Sequence, residues 1–120
     1  MIKLPLKLDA DLLRKVIDAY EVILKEVSHD DVRYVALKLP RVYNRLSKHD
    51  GDWCSILALY ANTLFNEVLI FNGRNMTDEG KVATAALYYL CNPQDVIPDS
   101  TPGTGYMDDA LVINLSLIHI

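Results

Sequence analysis

No stretch of this sequence alternates apolar and polar residues as a half-buried strand does, and none repeats or simplifies to low complexity. That excludes sandwiches, barrels and repeat arrays. No uninterrupted apolar run approaches the roughly 20 residues a spanning helix needs. The N-terminus, Met1-Ile2-Lys3-Leu4-Pro5-Leu6-Lys7, has no apolar core long enough for a signal peptide. Cysteine is scarce, with Cys54 and Cys91 far apart and no C-x-x-C pair. Two lone cysteines without a secretory signal read as buried thiols in a reducing compartment, so a cytoplasmic location is expected. Basic charge is short as well. Twelve Lys and Arg against sixteen Asp and Glu leave a net charge of −4. An acidic chain lacks the basic footprint of nucleic-acid binding, which argues against nucleic acid as a partner.

What is present is apolar periodicity. The apolar fraction is 51% over 120 residues, enough for one folded domain with its own core. Leu13, Val16, Ile17, Tyr20, Ile23, Leu24 and Val27 recur at three and four and predict a first helix over 9–27. Ser28 with Asp31 three residues on approaches a capping box, so a second helix starts near His29. Val32, Val35, Ala36, Leu39, Val42 and Leu46 form its expected buried side, with a kink or break at Pro40. A third helix is predicted over 52–71. Trp53, Leu57, Tyr60, Leu64, Val68 and Phe71 line one side, and Ile56, Ala61 and Leu69 widen it. That breadth predicts it as the central helix. Gly73 suits the C′ position after it. Thr77 or Asp78 caps a fourth helix running to about Cys91, and a fifth starts near Gly105. The class is all-α, a bundle of about five helices.

Between the last two helices lies Asn92-Pro93-Gln94-Asp95-Val96-Ile97-Pro98-Asp99, continued through Gly103 and Gly105-Tyr106-Met107-Asp108-Asp109. This segment holds three prolines, two glycines and four aspartates between two apolar runs. Such a connection folds the flanking helices back as an antiparallel hairpin. The pattern N-P-x-D-x-I-P-D followed by G-Y-x-D-D resembles the signature of the YkvA-like family of small bacterial proteins, a domain of unknown function. The resemblance covers about residues 82–115. Residues 1–80 form a helical N-terminal part without such a match. Members of that family are often predicted to be membrane-associated through this hairpin, and the resemblance implies peripheral membrane contact as an alternative to a buried soluble hairpin. Physics favours the soluble one: each arm is about half the crossing length, and aspartates at the tip are costly in hydrocarbon. At the other end, Ser116-Leu117-Ile118-His119-Ile120 resembles a translated sequencing adapter. Residues 116–120 are therefore set apart as either a non-native tail or a natural helix end, and the chain as either complete or a truncated fragment.

Structure alone accounts for each residue of the motif. Asn92 caps and Pro93 stops the fourth helix, and Asp95 accepts backbone N–H groups in a turn over Val96 and Ile97, the apolar plug of the loop that Pro98 continues. Gly103 and Gly105 supply positive φ, and Asp108 and Asp109 face the N-terminal dipole of the last helix. The competing reading is a cation site. Asp95, Asp99, Asp108 and Asp109 offer the oxygen ligands that Mg²⁺, Ca²⁺ or Mn²⁺ prefer, although EF-hand spacing is absent. Elsewhere Lys38, Arg41, Arg45 and Lys48 share one face at spacings of three and four, extended by Arg33. They form either an anion-binding face for phosphate, nucleic acid or anionic lipid or a solvated outer face. Ser28, Ser47 and Ser55 lack nucleophile-elbow context. With no recognisable nucleophile, base or cofactor loop, the expected function is a non-catalytic module that binds a protein partner or a membrane surface without a cofactor. The alternative is a cation-dependent activity built on the aspartate cluster.

Overall fold

A computed structural model describes residues 10–48, 52–72, 77–91 and 107–119; within these, the side chains of 52, 53, 68–72, 107, 108, 118 and 119 are left aside. Every element is helical: α1 (Ala10–Glu26), α2 (His29–Lys48), α3 (Asp52–Asn72), α4 (Asp78–Cys91) and α5 (Met107–His119). The all-α class therefore stands.

Local chemistry sets the boundaries. Asp31 turns its carboxylate back to accept the Ser28 backbone N–H at 2.8 Å, the reciprocal half of a capping box, and α2 begins there. Thr77 is the cap of α4: its hydroxyl accepts the Gly80 N–H at 3.0 Å, and its carbonyl accepts the Lys81 N–H at 2.9 Å. Pro40 does not break α2, which runs continuously from His29 to Lys48. The ring costs α2 one N–H, and the carbonyl of Ala36 loses its donor. Both residues are exposed, so the loss falls on the solvent side of the helix rather than in the core.

The centre of the molecule is α4, not α3 as the breadth of its apolar face predicts. Ala83, Thr84, Ala85, Ala86, Leu87, Tyr89, Leu90 and Cys91 are buried, on every side of the helix. A helix apolar all round belongs in the interior. Helices α1, α2, α3 and α5 all pack against it. Helix α3 keeps one outer face: Leu57, Ala58, Ala61 and Leu64 are buried, while Ile56, Leu59 and Asn62 are exposed. The expected burial of Ile56 is thus overturned, as is that of Ala36 in α2. The expected packing of Trp53, Val68, Leu69 and Phe71 lies outside the described side chains.

Helices α4 and α5 pack as an antiparallel pair, for Val82 near the start of one and Leu115 near the end of the other line the same cavity. Tyr20 of α1 closes that end by donating its hydroxyl to the Val82 carbonyl at 3.2 Å, and burial pushes its pKa up to about 12. Both cysteines are buried thiols, as expected, and burial raises Cys54 to about 11.

One core residue is mismatched to its surroundings. Thr84 is fully buried, and its Oγ1 meets no hydrogen-bond partner among the described residues. A buried hydroxyl in that state costs about 1–3 kcal/mol. Thr84→Val keeps the shape and removes the hydroxyl. It should raise stability by about 1 kcal/mol, read as a higher midpoint in thermal unfolding; a lower midpoint would show that the hydroxyl is bonded after all.

Candidate anion-binding face

From Val32 to Lys48 the chain carries Arg33, Lys38, Arg41, Arg45 and Lys48 and no acid, inside a protein whose acids outnumber its bases by four. The core stripe of α2, formed by Val35, Leu39, Val42 and Leu46, fixes where these cations go. Lys38, Arg41 and Arg45 fall on one flank at helical spacings of three and four. The three are exposed and line a cleft of about 520 Å³ together with Tyr34, Asn44 and Cys91. No acidic side chain stands among its described lining residues.

Tyr34 and Cys91 come from the tertiary packing of α2 on the end of α4. The Tyr34 ring lies 5.0 Å from that of Tyr88 at a 40° tilt, a favourable aromatic pair. Its hydroxyl donates a long 3.5 Å bond to the Cys91 carbonyl, at the negative end of α4. Burial, then the neighbouring Tyr88 and Cys91, raise its pKa, so the phenol stays protonated. The Lys38 ammonium sits 6.0 Å from the Tyr34 ring centroid, at the outer reach of a cation–π contact. The single Tyr34 proton is directed at Cys91. Donors open to an incoming anion are therefore the two guanidinium groups, the ammonium and the Asn44 amide.

The opposite flank of α2 is apolar and also open. Ala36, Pro40 and Tyr43 face α3 across a groove of about 320 Å³ completed by Asn62 and Phe65. Leu37 stands outward between the two flanks, 72% exposed. On the neighbouring helix Leu59 is 62% exposed. Helix α2 thus has a core stripe, a basic flank and an apolar flank.

The other residues singled out in the sequence fall elsewhere. Lys48 is exposed at the end of α2 but does not line the cleft. Asp109 is fully buried in the first turn of α5, and Asp108 lies in the same turn with its side chain outside the description. Asn92, Pro93, Asp95, Pro98, Asp99, Gly103 and Gly105 also lie outside the described residues. Among the described residues no group of three or more His, Cys, Asp or Glu comes together to hold a metal ion. Among them, too, no helix is long and apolar enough to cross a membrane. Ser28 takes part in the cap of α2 through its backbone, its N–H donated to Asp31 and its carbonyl accepting the Asp31 N–H at 3.1 Å, and Ser47 donates its hydroxyl to the Asn44 carbonyl at 2.9 Å.

Sequence periodicity finds Lys38, Arg41 and Arg45 but misses Tyr34 and Asn44. Tyr34 stands four residues before Lys38, on the same face, and that spacing was the available signal.

No curated protein and no solved structure matches the chain. Residues 81–115 match a family model described as a protein of unknown function (DUF1232). Over α4, α5 and the segment joining them, the chain is therefore similar to a family of uncharacterised proteins.

Proposed function

We propose that this protein is a non-catalytic interaction module and that its partner is an anionic membrane surface, met by α2. The observation that carries this is the division of the exposed surface of α2 into a basic flank and an apolar one. A helix lying in a membrane interface needs cations for the headgroups and large apolar side chains for the acyl boundary. Each cation near an anionic leaflet contributes about 1 kcal/mol. Lys38, Arg41, Arg45 and Lys48 supply four such contacts, and burying Leu37 adds about 1–2 kcal/mol. The total corresponds to weak, reversible attachment. On this basis the protein works in the cytoplasm, against the anionic leaflet. The matched hairpin of α4 and α5, which we take as YkvA-like, serves as the buried scaffold that presents α2.

Co-sedimentation with vesicles tests this. The wild type should pellet with phosphatidylserine-containing vesicles at low salt, stay in solution with phosphatidylcholine alone, and come off as salt rises, since screening weakens surface attraction. Lys48→Glu and Leu37→Asp are both at exposed positions, and each should lower the bound fraction several-fold. Binding that ignores phosphatidylserine, or survives a high-salt wash, overturns the proposal; the latter result points to insertion of the hairpin instead.

A further inference from the structure

We propose that the cleft between α2 and the end of α4 holds one phosphate monoester as its dianion. This deepens the membrane proposal by naming the chemical group recognised, and its test separates the two. Four observations on the cleft bear on the choice of ligand.

Lys38, Arg41 and Arg45 stand on successive turns of one flank, and all three line one opening. Two guanidinium forks and an ammonium offer more donors than a carboxylate can accept. A carboxylate is satisfied by one fork, whereas the three peripheral oxygens of a phosphate monoester take both forks and the ammonium together. The cleft of about 520 Å³ leaves room for such a group, and Asn44 adds a neutral donor at its edge. Among the described lining groups, the negative pole is the carbonyl end of α4 at Cys91. Tyr34 covers the last carbonyl there by donating its hydroxyl to it. With three cations and no described acid in the lining, the balance favours a doubly charged anion over a singly charged one.

The ligand chemistry is the same whether the phosphate is the headgroup of phosphatidic acid or a free phosphate ester. The experiment therefore has a soluble arm and a vesicle arm. In the first, inorganic phosphate is titrated into the full chain and followed by NMR at the arginine Nε–H and Asn44 side-chain signals. Saturable shifts confined to the cleft are expected, with weaker ones from acetate at equal ionic strength. The informative variant is Arg41→Lys with Arg45→Lys. Both positions are exposed, so folding is spared; the charge is kept, and only the forks are lost. Phosphate affinity should fall at least about tenfold, and the preference for phosphate over acetate should disappear. Asn44→Ala, also exposed, serves as a second variant and should weaken phosphate binding alone. In the second arm, wild type and the double lysine variant are compared on phosphatidic acid and phosphatidylserine vesicles of matched surface charge. A wild-type preference for phosphatidic acid that disappears in the variant identifies the lipid as the source. The proposal is overturned by an absence of phosphate shifts in the cleft, or by equal affinity in the lysine variant, which would reduce the cleft to plain charge. Phosphatidylserine binding that persists without phosphate binding sinks this inference and leaves the membrane proposal standing. Phosphate binding without any vesicle binding does the reverse.

Discussion

Leu87→Ala should cost about 2–5 kcal/mol, read as a lower urea midpoint at unchanged slope. Leu87 is fully buried at the middle of α4, and its neighbours one turn away on the same helix, Ala83, Thr84, Leu90 and Cys91, are buried too. Truncation therefore opens a cavity inside the core, with no solvent beside it. The surroundings cannot collapse to fill the space without moving a helix. Against the roughly 5–15 kcal/mol that holds a domain of this kind together, the loss is a large share. The control is the same substitution on the outer face. Leu37 is 72% exposed, and Leu37→Ala should change stability by no more than about 0.5 kcal/mol. If Leu87→Ala costs less than the surface control, α4 is not the centre of the core.

The number and limits of the helices were legible because they depend on local chemistry. Apolar residues at three and four set each stripe, and Ser28, Asp31 and Thr77 supply the caps that the hydrogen bonds then display. The rank order of burial was not legible. Helix α3 offers the broader apolar face, but which part of that face is covered depends on its neighbours. Ile56 reads as a core candidate, yet stands outside because the neighbours of α3 cover the side formed by Leu57, Ala61 and Leu64. Pro40 reads as a kink or a break, and of these the break does not occur: the one lost bond falls on the exposed side of α2, and the helix runs through it.

The candidate face divides the same way. Lys38, Arg41 and Arg45 are neighbours on one helix, so their grouping follows from spacing alone. Tyr34 at their side and the Cys91 carbonyl behind it meet only because α2 crosses the end of α4, a contact between residues 57 apart in sequence. The exposed apolar flank was masked by the expectation that Ala36 is buried. Moving Ala36 outside leaves the core stripe narrower and puts Pro40 and Tyr43 beside it in the open.

A second large effect is expected from the opposite kind of change in α4. Ala86→Leu replaces one good helix former with another and adds apolar surface, so propensity and hydrophobicity alone predict no loss. Packing predicts one. Ala83, Ala85 and Ala86 are all fully buried, and a period of 3.6 residues puts Ala83 and Ala86 on one face of α4 and Ala85 on another. Their small side chains are what lets helices close in on α4 from several sides. A leucine at position 86 must push a neighbouring helix outward or take a strained rotamer, at a cost of about 1–3 kcal/mol. The companion substitution is Asn62→Leu on the exposed side of α3, where the same added bulk meets solvent and stability should shift by no more than about 0.5 kcal/mol. Chemical denaturation of both variants beside the wild type separates the two outcomes. An Ala86→Leu protein as stable as the wild type would mean that room remains beside α4, and tight packing of its neighbours would no longer explain why the Ala-rich run 83–86 sits in the central helix.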